Sequence, residues 1–406
     1  MNIVILTDPY PPQLYSISLM MQQLAAELSS RGNNVTVITP WLKDNGIGKV
    51  SEFSYGLSIE NGVRVVRVKT LPLHKVNFLI RGVSQLLLPY LFWNNIRKYC
   101  SDIIDVVIVY SPPLPLALLG KRIKEKYGAK YILNIQDIFP QSAIDLSIMN
   151  NKILIKYFEY MESKVYKAAD KITSHTISSR GFLINKKGVP SEKIHYIPNW
   201  IEVGPYMNSK TSSSVFFRNK LLIEGKFIVL FAGVMGQSQG LELIIKAASK
   251  LKHISEICFL FLGDGMEKNE LMKLADALKL ENVIFHPFIS QEDYSEILKE
   301  VDLGLISLSP KVKTPVIPGK ILGYMLASIP ILAIINRESD GHEMISEAVC
   351  GYTVVSDSSP EELAEMFIRC FNQRSKLVEM GANGHDYVTK NFTKDICVDK
   401  LIKLLQ

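Results

Sequence analysis

Short β-branched runs alternate with helix-spaced segments along nearly the whole chain, and this alternation restricts the fold more than any other feature. Residues 3–6, 35–38, 106–109, 131–135 and 171–174 are apolar runs of strand length. Segments 14–31 and 116–127, and one ending near Gly188, carry apolar residues at helical spacing. A second series has strands at 227–231, 258–262, 283–285, 303–306 and 331–335, with helices at 240–252, 267–279, 291–299 and 319–328. Strands joined by crossover helices build a parallel sheet covered on both faces. The expected architecture is therefore α/β, with two doubly wound, Rossmann-like domains.

Pro198-Asn199-Trp200 and the polar run 208–214 separate the two series and place a linker at 201–225. The expected domains are 1–200 and 226–382, and the amphipathic segment 383–406 is expected to pack back across the junction as a helix. One stretch breaks the α/β rhythm. Residues 76–93, VNFLIRGVSQLLLPYLFW, sit within a segment 71–100 that carries Arg81, Arg97 and Lys98. A bilayer span needs about 20 mainly apolar residues, so this stretch reads as an interfacial helix at a membrane surface, or as a core helix under a loop.

A chain of 406 residues can bury large cores, which excludes a peptide scaffold. The net charge of +6 hides an asymmetry: residues 1–200 hold 24 Lys+Arg against 14 Asp+Glu, and residues 201–406 hold 22 against 26. A basic half facing an anionic membrane or a phosphorylated substrate accounts for this better than nucleic acid, because there is no dense basic run and no nucleic-acid-binding motif. Five well-separated cysteines (Cys100, Cys258, Cys350, Cys370 and Cys397) and seven histidines without metal spacing point to neither a disulfide framework nor a metal site, and to a cytoplasmic location. The N-terminal stretch lacks a basic n-region and reads as a buried first strand rather than a signal peptide.

In open α/β sheets, ligands bind beyond the carboxyl ends of the strands. There the sequence places Gly233, Gly236 and Gly240 in GVMGQSQG, then Gly263-Asp264-Gly265, then Pro318-Gly319-Lys320 at a helix start. Side-chain-free turns let backbone N–H groups approach a phosphate, or simply allow tight packing. The early loop DPYPPQLYSIS contains no glycine, and no G-x-x-x-x-G-K-[ST] is present, so neither a dehydrogenase nor a P-loop enzyme is indicated. Asp137 follows the strand 131–135 and is either a proton acceptor for an attacking hydroxyl or a helix cap. His286-Pro287-Phe288 is a candidate wall of the nucleotide pocket.

Taken together, TDPYPP, NIQDIFPQSA, GVPSEKIHYIPNWIE, FAGVMGQSQGLELIIKAA, FLGDG, PFISQEDYSEILKEVDLGLISLSP and TPVIPGKILGYMLASIPILA resemble glycosyltransferase family 4 over nearly the whole chain. Within that family the motifs look most like the L-fucosamine (N-acetylfucosamine) transferases of O-antigen and capsule synthesis. The resemblance implies a GT-B fold of two facing Rossmann-like domains and a retaining enzyme that needs no metal or other cofactor. It further implies a UDP-sugar donor of hexosamine type, a lipid-linked, undecaprenyl diphosphate-type acceptor, and a peripheral location at the cytoplasmic face of the inner membrane.

By the same resemblance, Gly233, Gly236, Gly263, Pro318, Gly319, Lys320 and Phe288 would hold the nucleotide diphosphate, Asp137 would be catalytic, and Tyr15 and Ser16 would line the acceptor side. Two departures stand out. The family's Glu-x7-Glu positions are Pro315 and Gly323 here, and Gln237 and Gln239 lie near where a basic pair is expected. Asp340 and Glu343 are candidate substitutes for the missing carboxylates, and Lys320 is the main remaining cation. A GT-B nucleotide-sugar epimerase and a non-catalytic sugar-nucleotide-binding partner of a membrane complex are the alternatives.

Overall fold

The computed structural model describes residues 1–13, 16–41, 54–73, 78–100, 103–203 and 216–405. The chain divides into two compact units, Met1–Asn199 with Lys394–Gln406, and Trp200–Thr393. The polar run 208–214 lies outside the described residues.

Unit 1 begins with β1 (Asn2–Leu6), α1 (Ser16–Ser30), β2 (Asn34–Trp41), β3 (Gly56–Glu60), β4 (Val63–Lys69) and α2 (Phe78–Tyr99). It continues with β5 (Val106–Ser111), α3 (Leu114–Tyr127), β6 (Lys130–Ile135), α4 (Gln141–Asp145), α5 (Lys152–Ala168), β7 (Lys171–Ser174), α6 (Ile177–Lys187) and β8 (Ile194–Tyr196). The sheet order is β3-β4-β2-β1-β5-β6-β7-β8, parallel except for β3. Every residue of β5 is buried, as expected of a strand covered on both faces. Leu88, Phe92 and Ile96 of α2, Ile123 of α3 and Val165 of α5 pack in one core cluster against Val107 and Leu133 of the sheet. Residues 78–93 of the stretch 76–93 are thus helical, with one face in that core, and residues 76 and 77 lie outside the described residues. Asn151 caps α5 by accepting from the Ile153 and Leu154 amides, and Gly188 ends α6 in the left-handed region.

Unit 2 contains α7 (Phe216–Lys220), β9 (Phe227–Ala232), α8 (Leu241–Lys250), β10 (Ile257–Leu262), α9 (Lys268–Ala277), β11 (Val283–His286) and α10 (Gln291–Leu298). Then come β12 (Leu303–Ser307), α11 (Lys320–Leu326), β13 (Ile331–Ile335), α12 (Gly341–Glu347), β14 (Gly351–Val355), α13 (Pro360–Asn372) and α14 (Arg374–Asn391). Its sheet is wholly parallel, in the order β11-β10-β9-β12-β13-β14. Alternate residues of β9 enter opposite cores: Ile228 and Leu230 one, Val229 and Phe231 the other.

Two expectations change. Residues 216–225 were expected in the linker, but the Phe217 and Arg218 amides donate to Glu300, Arg218 pairs with Asp302 at 2.9 Å, and Phe217 and Ile223 are buried in unit 2. The segment 383–406 is not one helix. Buried Phe392 ends α14 within unit 2, Thr393 bridges Ile201, and α15 (Lys394–Ile402) belongs to unit 1. There Asp399 pairs with Arg31 at 2.6 Å and Lys394 with Glu27 at 3.4 Å.

The strands β3 and β4 bring a buried cation under the first loop. Arg67, on β4 and nearly inaccessible, pairs with Glu60 of β3 and donates to the Pro11 carbonyl at 2.9 Å and to the Ser58 hydroxyl at 3.2 Å. Removing one partner of a buried pair leaves the other charge uncompensated. Arg67→Met should therefore lower unfolding free energy by about 3 kcal/mol or more in urea denaturation, through the stranded Glu60 carboxylate.

Candidate active site

Strand order in unit 2 reverses between β9 and β12, the place where a doubly wound sheet opens a crevice for a ligand. The loops leaving these two strands are stitched together. The Ser309 amide donates to the Ser238 carbonyl at 2.8 Å, and the Ser307 hydroxyl donates to the Gln239 carbonyl at 2.6 Å. A Cβ on Gly240 would lie 2.9 Å from Ser309 Cα, so a bare backbone is what lets the loops meet.

Lys320, the first residue of α11, reaches into this joint. Its ammonium donates to Gln239 Oε1 at 3.0 Å and lies 3.9 Å from the Phe231 ring centroid. The side chain is half-buried, and burial pushes its pKa down to about 7. A bound diphosphate would supply the anion that restores its charge.

The glycines divide by what surrounds them. Gly263 has φ +147°, and a Cβ there would lie 2.0 Å from the Gly233 carbonyl oxygen; one on Gly233 would lie 2.7 Å from Lys320 Cε. These two glycines serve packing between the β9 loop, the β10 loop and the lysine. Gly236, Gly319 and Gly323 face open space, with nothing within 4 Å of a Cβ, so backbone there is approachable by a ligand. No side chain caps α11, and Pro318 precedes its Gly319 N-cap.

Asp340 and Glu343 stand at the start of α12, after β13. The neighbouring Ser339 hydroxyl donates to the Val316 carbonyl at 2.6 Å, which ties this turn to the loop leading into α11. Asp340 therefore belongs beside the α11 entrance, and Glu343 is exposed one turn on. Phe288 is exposed beyond β11, with β10 between that strand and β9, so it does not adjoin the Lys320 joint through the sheet.

In unit 1 the reversal lies between β1 and β5, and Asp137 follows the next strand, β6. Asp137 accepts from the Ser142 hydroxyl at 3.0 Å, whereas α4 has Pro140 at its N-cap and no side-chain cap, so the cap reading does not hold. The carboxyl pKa is raised by the surrounding protein; the Ser142 hydroxyl and the Ile138 amide pull it back. Its side chain is exposed, so water still reaches it. Tyr110 of β5 is influenced by both Asp137 and Asp8 of the first loop, which places these groups together at one sheet edge. Gln136 and Asn199 exchange hydrogen bonds at 2.9 and 2.8 Å and brace the Asp137 loop. Tyr15 lies outside the described residues, and Ser16 is the first residue of α1.

Two family models match the chain, Glycosyltransferase Family 4 over residues 17–204 and Glycosyl transferases group 1 over residues 214–387. This chain is a glycosyltransferase of the GT-B fold. It is similar to the colanic acid biosynthesis glycosyl transferase WcaI of Escherichia coli K12, at 26% identity over 80% of this chain and 81% of that one. It is also similar to the glycosyltransferase WbjE of Pseudomonas aeruginosa, at 22% identity over 80% of each. Among solved structures, Anabaena HepE in complex with UDP covers 100% of this chain and 99% of its own, with a TM-score of 0.73 and 17% identity.

Sequence reasoning on this glycosyltransferase missed Phe231 beneath Lys320, the serine stitches, and Arg67 under the first loop, because each depends on a partner distant in the chain. Gln239 was noted only as a position lacking a cation; in the fold it is the lysine's partner. The lowered pKa of Lys320 has a consequence for stability. Between about pH 7 and its ordinary value, the unfolded chain holds a proton that the folded chain lacks, so the contribution of Lys320 to stability rises with pH across that window and is least below it. Lys320→Met, which fills similar volume against Phe231, should raise the melting temperature of the ligand-free enzyme near about pH 6 and flatten the difference between melts at about pH 6 and pH 9.

Proposed function

We propose that this glycosyltransferase moves a hexosamine-type sugar, with N-acetyl-L-fucosamine as the specific candidate, from a UDP donor to a lipid-linked oligosaccharide of the undecaprenyl diphosphate type. The reaction retains anomeric configuration, uses no metal, and serves surface polysaccharide assembly at the cytoplasmic face of the inner membrane. The observation that carries the donor half is Lys320, held at the β9/β12 joint beside the open backbone of Gly236 and Gly319. Structures of HepE with UDP and with UDP-glucose support a uridine nucleotide, and the colanic acid assignment in the name of WcaI supports a polysaccharide product. The hexosamine and the lipid carrier rest on the DIFPQS, AGVMGQSQGL and VIPGK motifs. No helix among the described residues is long and apolar enough to cross a membrane, so bilayer contact is assigned to a surface.

In this reading negative charge grows on the departing diphosphate and meets Lys320 together with the amides near Gly236 and Gly319, donors already in place before the bond breaks. Asp137 accepts the proton of the acceptor hydroxyl, or holds the donor sugar. The Ser142 hydroxyl fixes its orientation.

Thermal shift with UDP, GDP, dTDP, CMP and ADP tests the donor. UDP at 100 times Kd adds about 2.7 kcal/mol, a rise of roughly a few degrees, equally with and without Mg²⁺; no shift with any nucleotide would sink the donor site. UDP affinity should weaken as pH rises from about 7 to 9, because only the protonated Lys320 pairs with the diphosphate. Asp137→Asn should lower turnover by about 100-fold or more at unchanged UDP affinity. Full turnover in that variant would remove the assigned role.

A further inference from the structure

The cations of unit 1 are not spread evenly. Helices α2, α3 and α5 hold 11 Lys+Arg against 3 Asp+Glu, a net +8 of the +10 carried by residues 1–200. These three helices share one core cluster and so lie on one face of the sheet, with α3 in contact with both of the others. The guanidinium of Arg122 on α3 lies 4.1 Å from the ring centroid of Trp93, a buried residue of α2, so the two helices pack side by side. Lys121 and Lys124 are taken up by Glu125 and Asp170 at 2.6 Å each; Arg97, Lys98, Lys152, Lys156 and Lys164 are exposed.

The same layer exposes large apolar groups at a repeated spacing. Val83, Leu87 and Tyr90 on α2 recur at i, i+4 and i+7, and Ile153, Tyr157 and Tyr160 on α5 recur at the same interval. Single exposed apolar side chains are ordinary, but two stripes on one basic face are not. Ile153 is 82% exposed and Tyr90 63%, so neither is a half-packed core residue. Tyrosines with lysines at their flanks suit the boundary between headgroups and acyl chains, where the ring is buried and the cation meets anionic headgroups.

Position adds direction. A helix that follows a parallel strand starts at the carboxyl edge of the sheet, and both apolar stripes occupy the first two-thirds of their helices. They therefore lie toward the edge that holds Asp137. Phe139 of the Asp137 loop packs edge-on against Phe158 of α5, with centroids 5.1 Å apart, and the Tyr157 ring also lies edge-on to Phe158 at 5.4 Å.

We infer that the α2–α3–α5 layer is a docking face for an anionic lipid bilayer, with α5 as a second anchor beside α2. This face deepens the lipid-linked acceptor reading and rests on it, because a carrier lipid held in that bilayer would present its sugar along the edge where Asp137 stands. An acidic protein or RNA would match the charge but leave Val83, Leu87 and Ile153 without an apolar environment.

The test is sedimentation of the full chain with vesicles of phosphatidylcholine alone, or containing about one-third phosphatidylglycerol, at low and high salt. The wild type should bind the anionic vesicles and be released by salt. Each lysine near the surface contributes about fivefold, so Lys156→Gln with Lys164→Gln should weaken partition roughly 25-fold, while Lys156→Arg with Lys164→Arg retains it. Tyr157→Ser with Tyr160→Ser should weaken binding to the same vesicles at unchanged salt dependence. Wild-type partition by the double Gln variant would remove α5 from the face. Absence of vesicle binding by the wild type, or retention of polyuridylate in its place, would overturn the docking face altogether. UDP thermal shifts run on the same proteins separate the readings: vesicle binding without a UDP shift leaves the face standing and removes the donor site, and the converse result does the reverse.

Discussion

Among the described residues, eleven of the twelve strand pairings are parallel, and both sheets are covered by helices on two faces. That arrangement leaves little room for polar chemistry inside either unit, since strands such as β5, β9 and β10 are buried at every position. Polar side chains and approachable backbone gather instead at the carboxyl edges, where strand order reverses. Lys320, Gln239 and the serine stitches in unit 2, and Asp8, Tyr110 and Asp137 in unit 1, are the consequences.

At the unit 2 edge the glycosyltransferase holds a lysine where solvation is poor. Its hydrogen bond to a neutral amide and its contact with Phe231 offset only part of the lost hydration, which is why burial lowers its pKa to about 7. A site of this kind is less stable empty and cationic than it would be with an apolar residue, and it is poised to gain an anion. The glycines support it in two ways. Gly263 and Gly233 allow backbone and lysine to come close, and Gly236 and Gly319 leave the approach open.

The strand positions of both series were legible because fully buried β-branched runs are short and bounded by turns. The unread elements include some without that signature: β3 alternates polar and apolar residues at a sheet edge, β14 is half-buried throughout, and α5 is amphipathic but is separated from β6 by an irregular stretch with the short α4. The buried strand β4 also went unread, because Arg64 and Arg67 interrupt its valines and the partner that neutralises Arg67 lies on β3. The break between α14 and α15 was hidden because both pieces are amphipathic, and only the burial of Phe392 in one unit and the ion pairs of α15 in the other divide them. Asp137 and Lys320 were singled out as candidates from their positions after a strand and at a helix start. Their partners Ser142 and Gln239 were close to motifs already noted, but nothing in the sequence said which atoms meet.

The sequence by itself determined the class of fold and the edges at which a ligand can bind, because the order of strands and crossover helices admits few topologies. It also determined the basic balance of the first half and the absence of the carboxylates at positions 315 and 323. Only the tertiary structure decided which glycines are required by packing and which leave open space, that Arg67 supports the first loop, and that most of the net positive charge of residues 1–200 collects on a single layer. Each of these is a matter of distance between residues tens of positions apart in the chain, and distance in space is set by how helices and strands pack, which local spacing does not encode.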